Sequence, residues 1–212
     1  MKILFFGDSI TDMGRNRGDL PEIFRLGSGY VFLINGYLAA KYPKKYDIIN
    51  RGISGNTSVD LYARIKTDVW NVKPDVLSIL IGTNDIWHEM DETRRAGVDI
   101  KRYEKVYSAI IEETKERLPD TKIVLCEPFV LKGTSTTERF KEWEVIKDYA
   151  KVVKRLCDKY NLTFVPIQKE MDEQAEKFGE GYILYDGVHP NIGGANIIAK
   201  QWLNVVLKEK YL

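Results

Sequence analysis

The chain has 212 residues, with 32 basic and 31 acidic side chains, two histidines and two cysteines. Charges that nearly cancel leave no electrostatic footprint for nucleic acid or an anionic membrane, and no apolar run is long enough to span a bilayer. A chain of this length buries most of its apolar surface without disulfide or metal staples, so one domain over residues 1–212 is expected.

The first element is the apolar run Ile3-Leu4-Phe5-Phe6, bounded by Gly7-Asp8. It predicts a short buried strand over Lys2–Phe6. Further strands are predicted over Asp47–Asn50, Val76–Ile81, Lys122–Cys126 and Thr163–Ile167. Between them, helical patterns lie near Tyr30–Lys41, Ser58–Trp70, Tyr103–Leu118 and Trp143–Tyr160, with a last one at Ala195–Lys208. Tyr103, Val106, Ile110 and Ile111, and again Trp143, Ile146, Ala150 and Val153, recur at intervals of about three and four, one buried stripe per helix. Apolar strands alternating with such helices argue for a parallel sheet covered on both faces. In such sheets ligands bind outside the carboxyl ends of the strands. There the chain places Gly7–Thr11, Arg51–Thr57, Gly82–Trp87 and the long segment Glu127–Lys141.

The N-terminal apolar run is too short for a secretory signal, and cleavage after it would remove or strand Ser9. A cytoplasmic protein is therefore expected. Cys126 ends a strand and Cys157 lies on a helical stripe, outside any C-x-x-C pattern, so buried free thiols are expected.

Four segments carry candidate chemistry. In Gly7-Asp8-Ser9-Ile10-Thr11, a serine at a strand-to-helix turn can act as a nucleophile while the helix N–H groups hold the oxyanion. The bland alternative is that Asp8 or Ser9 caps the helix. In Gly52-Ile53-Ser54-Gly55-Asn56-Thr57, glycine lets the backbone approach a substrate and present an N–H; an ordinary turn is the alternative. In Gly82-Thr83-Asn84-Asp85, a side-chain amide can donate to an oxyanion, with Trp87 and His88 then beginning a loop, or the run is simply a turn.

In Asp186-Gly187-Val188-His189-Pro190, a carboxylate three residues before a histidine can orient it as a base. His88 is the rival, because Asp85 precedes it by the same spacing. Ser54 is a rival nucleophile, although Asn56 breaks the Gly-x-Ser-x-Gly elbow. Two histidines are too few for a His-rich two-metal hydrolase, and no Gly-x-x-x-x-Gly-Lys phosphate loop occurs. No cofactor or metal is expected.

Taken in order, the four segments resemble the signature blocks of the SGNH hydrolases, the GDSL esterase family, from Gly7 to Pro190. The resemblance implies a flavodoxin-like three-layer α/β/α sandwich with a central five-stranded parallel sheet. It implies Ser9 as nucleophile, His189 as general base and then acid, and Asp186 as the orienting carboxylate. The oxyanion hole would be the N–H groups of Ser9 and Gly55 and the amide of Asn84. Gly27-Ser28-Gly29-Tyr30-Val31, and Trp87 after Asn84-Asp85, further resemble the intracellular acetylxylan esterases of this family. That implies deacetylation of xylo-oligosaccharides, a small-molecule substrate and self-association. Asp8, Trp87 and Tyr185 are assigned to substrate contact, an aromatic face suiting a sugar ring. Tyr185 departs from the tryptophan such esterases can carry, and the 129–140 segment has no counterpart in the resemblance. A lysophospholipase, thioesterase or short-chain carboxylesterase would use the same triad. A nonenzymatic carbohydrate-binding domain would have no use for a base beside a nucleophile.

Overall fold

Lys2–Gly7 (β1), Asp47–Gly52 (β2), Val76–Leu80 (β3), Lys122–Cys126 (β4) and Thr163–Val165 (β5) pair side by side in the computed structural model, which describes residues 1–93 and 96–209. All pairings are parallel, in the order β2-β1-β3-β4-β5. This is the flavodoxin-like order, whose direction of winding reverses between β1 and β3. β1 and β3 are buried along nearly their whole length, as a sheet covered on both faces requires.

The helices are Ser9–Asp12 (α1), Tyr30–Lys41 (α2), Ser58–Ile65 (α3), Thr83–Met90 (α4), Ile100–Arg117 (α5), Phe140–Trp143 (α6), Ile146–Tyr160 (α7), Gln168–Phe178 (α8), Glu180–Ile183 (α9) and Ile192–Lys208 (α10). A π-helical turn, Lys66–Trp70, extends α3. α2 packs against α10 on one side, and α3, α5 and α7 pack in a row on the other. Trp202 of α10 reaches the sheet centre, where its ring lies 5.1 Å from Phe5 and its Nε1 donates to Ser78 Oγ at 3.0 Å. That bond satisfies the one polar atom of a large side chain whose burial contributes several kcal/mol, about 25 cal/mol for each Å² removed from water.

Three differences from the sequence reading have local causes. β5 stops at Val165, two residues early, because Pro166 has no N–H to continue the ladder. Trp87 and His88 sit in α4 and do not begin a loop: Gly82, at φ 137°, makes the turn alone and the helix starts at Thr83. α8 carries only Met171 and Ala175 as buried residues, a stripe too narrow for apolar periodicity to reveal. Cys126 and Cys157 are buried free thiols, and burial pushes both up to about 12.

Candidate active site

The site forms where the winding reverses. β1, β2 and β3 are neighbours, so the segments that follow them, Asp8–Met13, Ile53–Thr57 and the start of α4, converge at one edge of the sheet. Gly7 lets α1 turn back tightly, since a Cβ there would lie 2.4 Å from Thr11 Oγ1. Ser9 is the first residue of α1, the position where backbone N–H groups lack partners within the helix.

Asp8 corrects its assignment to substrate contact. It is 1 % exposed, and its Oδ1 accepts from Ile10 N at 3.0 Å, so it faces inward as the cap of α1. Burial raises its carboxyl to about 7.

His189 reaches Ser9 from the far end of the chain, with Nε2 2.8 Å from Ser9 Oγ. Its Nδ1 lies 2.7 Å from Asp186 Oδ2. Asp186 Oδ1 accepts from the backbone N–H of Val188 at 2.9 Å and of His189 at 2.7 Å. Burial acts to raise the Asp186 carboxyl, but these donors together outweigh it and hold the group below its usual range. The hydrogen bond to Asp186 holds His189 above the ordinary histidine value, against a partial burial that pulls it down.

His88 lines the same cavity, yet Asp85 is turned away from it. Asp85 accepts from Ser58 N at 3.1 and 3.2 Å and from Ser58 Oγ at 2.5 Å. Burial raises its carboxyl to about 7. The equal spacing of Asp85–His88 and Asp186–His189 thus yields opposite results. On α4 the carboxylate points toward the start of α3, whereas the 186–190 turn folds it onto its own histidine.

Ser54 is likewise committed elsewhere: its N–H and hydroxyl donate to Asp12 Oδ2 at 3.1 and 3.3 Å. Asp12, which sequence reasoning passed over, thereby joins the Ser9 turn to the Ser54-Gly55 turn. Gly55 adopts a φ of 82°, open to glycine at little cost. Asn84 Nδ2 donates to Asn56 O at 3.1 Å, which orients the amide and leaves its second hydrogen for the cavity it lines.

The cavity has a volume of about 530 Å³, and Ser9, Gly55, Asn84, Trp87, His88, Asp91, Tyr185 and His189 are among its lining residues. Trp87 and Tyr185 flank the His189 ring at centroid distances of 6.2 and 5.8 Å, Tyr185 stacked at 18° and 55 % exposed. Among the described residues no group of three or more His, Cys, Asp or Glu side chains is arranged to hold a metal ion.

The geometry sits within a wider similarity. Residues 5–197 match the model of the GDSL-like lipase/acylhydrolase family. An acetylxylan esterase of Geobacillus stearothermophilus is 36 % identical over 209 residues, 97 % of this chain and 93 % of that protein. Its crystal structure superposes with a TM-score of 0.87 at 36 % identity, covering 97 % of this chain and 93 % of that one. A structure from Parabacteroides merdae described as a GDSL-like lipase gives a TM-score of 0.90 at 39 % identity, covering 96 % and 94 %. The Geobacillus enzyme is also described as an acetyl-xylooligosaccharide esterase. Structures exist of its catalytic mutants, in which a serine, an aspartate or a histidine three positions after that aspartate is replaced by alanine.

Proposed function

The chain belongs to the GDSL-like lipase/acylhydrolase family, and on that premise we propose that it removes acetyl groups from xylo-oligosaccharides through an acyl-enzyme on Ser9. It is a carboxylic ester hydrolase acting on acetyl esters. The sugar, the residue roles and the reading of residues 1–212 as one domain are our proposals. The observation that carries the mechanism is the continuous line from Ser9 Oγ to His189 Nε2 at 2.8 Å and from His189 Nδ1 to Asp186 at 2.7 Å.

In this reading His189 Nε2 takes the Ser9 proton as Oγ attacks the acetyl carbonyl. Asp186, held ionised by its three donors, keeps the second proton on Nδ1 and stabilises the imidazolium. The N–H groups of Ser9 and Gly55 and the Asn84 amide receive the oxyanion. They come from the three segments that follow β1, β2 and β3, and line one cavity. Collapse of the tetrahedral intermediate expels the sugar oxygen, which takes its proton from His189. Water, activated by the same histidine, then releases acetate and restores Ser9. Trp87 and Tyr185 offer faces on which a sugar ring can stack beside the base.

A cytoplasmic setting is part of the proposal. Two buried, unbridged cysteines suit a reducing compartment. Among the described residues no helix is long and apolar enough to cross a membrane.

Acetate release from acetylated xylo-oligosaccharides, with Ser9→Ala as control, tests the reading. Release that vanishes in the variant supports both serine chemistry and the sugar class. A wild-type enzyme that cleaves simple acetyl esters but not these oligosaccharides would overturn the xylan assignment and leave the triad.

A further inference from the structure

We propose that the segment following β4, residues 127–139, is a brace that sets the 186–190 turn against Ser9, with Thr136 as its positioning residue. The proposal rests on the Ser9-His189-Asp186 reading.

The turn's own bonds fix its shape. Asp186 Oδ1 accepts from Val188 N and His189 N, and Tyr185 N donates to His189 O at 3.1 Å. None of these bonds sets its distance from β1, whose end carries Ser9. That distance is controlled by two bonds from outside the turn. Leu131 N donates to Gly187 O at 2.9 Å, and Ser135 N donates to Asp186 O at 3.0 Å.

The two backbones cross where both carry glycine. A Cβ at Gly133 would lie 2.1 Å from Gly187 N, and a Cβ at Gly187, whose φ is 96°, would lie 2.1 Å from Thr136 Oγ1. No side chain fits between them, so a shift of the brace becomes a shift of the turn. Thr136 is wholly buried, and its hydroxyl donates to Leu131 O at 2.7 Å, closing the bend that carries both donors.

The far ends of the brace are tied as well. Glu127 Oε2 accepts from Ile167 N at 2.6 Å and Gln168 N at 2.9 Å. Gln168 exchanges two 3.0 Å bonds with the backbone of Val130. At the other end Arg139 Nη1 donates to Met90 O at 2.9 Å, the last residue of the helix that carries Asn84. One segment therefore holds both the base and the helix of an oxyanion donor in register with the sheet.

The test is steady-state kinetics of Thr136→Val, which keeps the side-chain shape and removes the hydroxyl. A misplacement near 1 Å at a reacting group costs roughly 100-fold, so kcat should fall by roughly 10- to 100-fold with KM little changed. The acid limb of kcat/KM should stay in place, because the bond from Asp186 that holds His189 high lies within the turn and moves with it. The groups bearing on that ring are Asp186, Ser9, Tyr185, Trp87 and, through its charge, Asp8, and His88 lines the same cavity. None of them belongs to the 127–139 segment, so a limb that moves would show the turn itself deformed and would overturn the brace. Thr136→Ser should restore the rate. Gln168→Met, which cuts the anchor at Val130, should lower kcat in the same sense with KM kept.

Thr136→Val with wild-type kcat overturns the brace, even if its melting temperature drops. A loss confined to KM overturns it too. His189→Ala is the control for the premise. If that variant is inactive while the brace variants are unaffected, only the brace fails; if it is active, the triad reading falls and the brace with it.

Discussion

Replacing Asp186 by Asn turns the hydrogen bonding of the proposed triad into a test of proton position. Asp186 Oδ1 accepts from two backbone donors, Val188 N at 2.9 Å and His189 N at 2.7 Å. An Asn amide must keep its oxygen there, because its NH2 group would face two donors. Its nitrogen then occupies the Oδ2 position, 2.7 Å from His189 Nδ1 in the native protein. Since that nitrogen only donates, Nδ1 must accept, and the ring proton moves to Nε2. Nε2 faces Ser9 Oγ at 2.8 Å and, carrying a proton, cannot remove another. A wrong tautomer of this kind costs about 10⁴ in kcat in a serine protease triad, roughly 5.4 kcal/mol of activation free energy. The same loss is expected here with KM little changed and with the fold retained, as circular dichroism and thermal melting would report. Asp186→Asn within tenfold of wild type would refute the assigned tautomer and the role of Asp186.

Asn84→Ala should reduce kcat by roughly 10²- to 10³-fold, or about 2.7–4 kcal/mol, the size of one oxyanion donor; turnover of an acetyl ester within threefold of wild type would remove Asn84 from the hole. His88→Ala should keep most of the turnover while His189→Ala abolishes it, and the reverse pattern would exchange the two histidines. Because only neutral His189 can accept the Ser9 proton, its raised value places the acid limb of kcat/KM above the ordinary histidine value of 6.5, and a limb below 6.5 would contradict the bond to Asp186. Asp85, raised from 3.8 to about 7, binds its proton more tightly folded than unfolded, so its contribution to stability falls as pH climbs through that window. Asp85→Asn should therefore gain on wild type in melting temperature between pH 4 and pH 7, and a difference that stays constant over that range would refute the burial argument.

Much of the architecture is visible in local pattern. β1 and β4 match the runs Ile3–Phe6 and Ile123–Cys126 because a fully buried strand must be apolar at consecutive positions. α2 starts and ends where its pattern does. α4 and α8 were hidden for different reasons: Gly82-Thr83-Asn84-Asp85 has the composition of a turn, and α8 buries too few residues to show a period. Asp186 and His189 could be paired from spacing because a three-residue turn brings one side chain onto the other. The same spacing misleads at Asp85 and His88, where a helix supplies the backbone and Ser58 supplies the carboxylate's partners.

The amino-acid sequence alone determined the alternation of strands and helices and the position of Ser9 at a helix start, and it offered Asp186 and His189 as a local pair. Each depends on reach within a few residues, which backbone geometry sets. Only the tertiary structure decided which histidine meets Ser9, 180 residues away, and that Asp8 turns inward. It alone bound Ser54 to Asp12 and laid the 127–139 segment on the 186–190 turn. Those contacts follow from strand order and from two glycines crossing at van der Waals distance, and neither leaves a periodic trace along the chain.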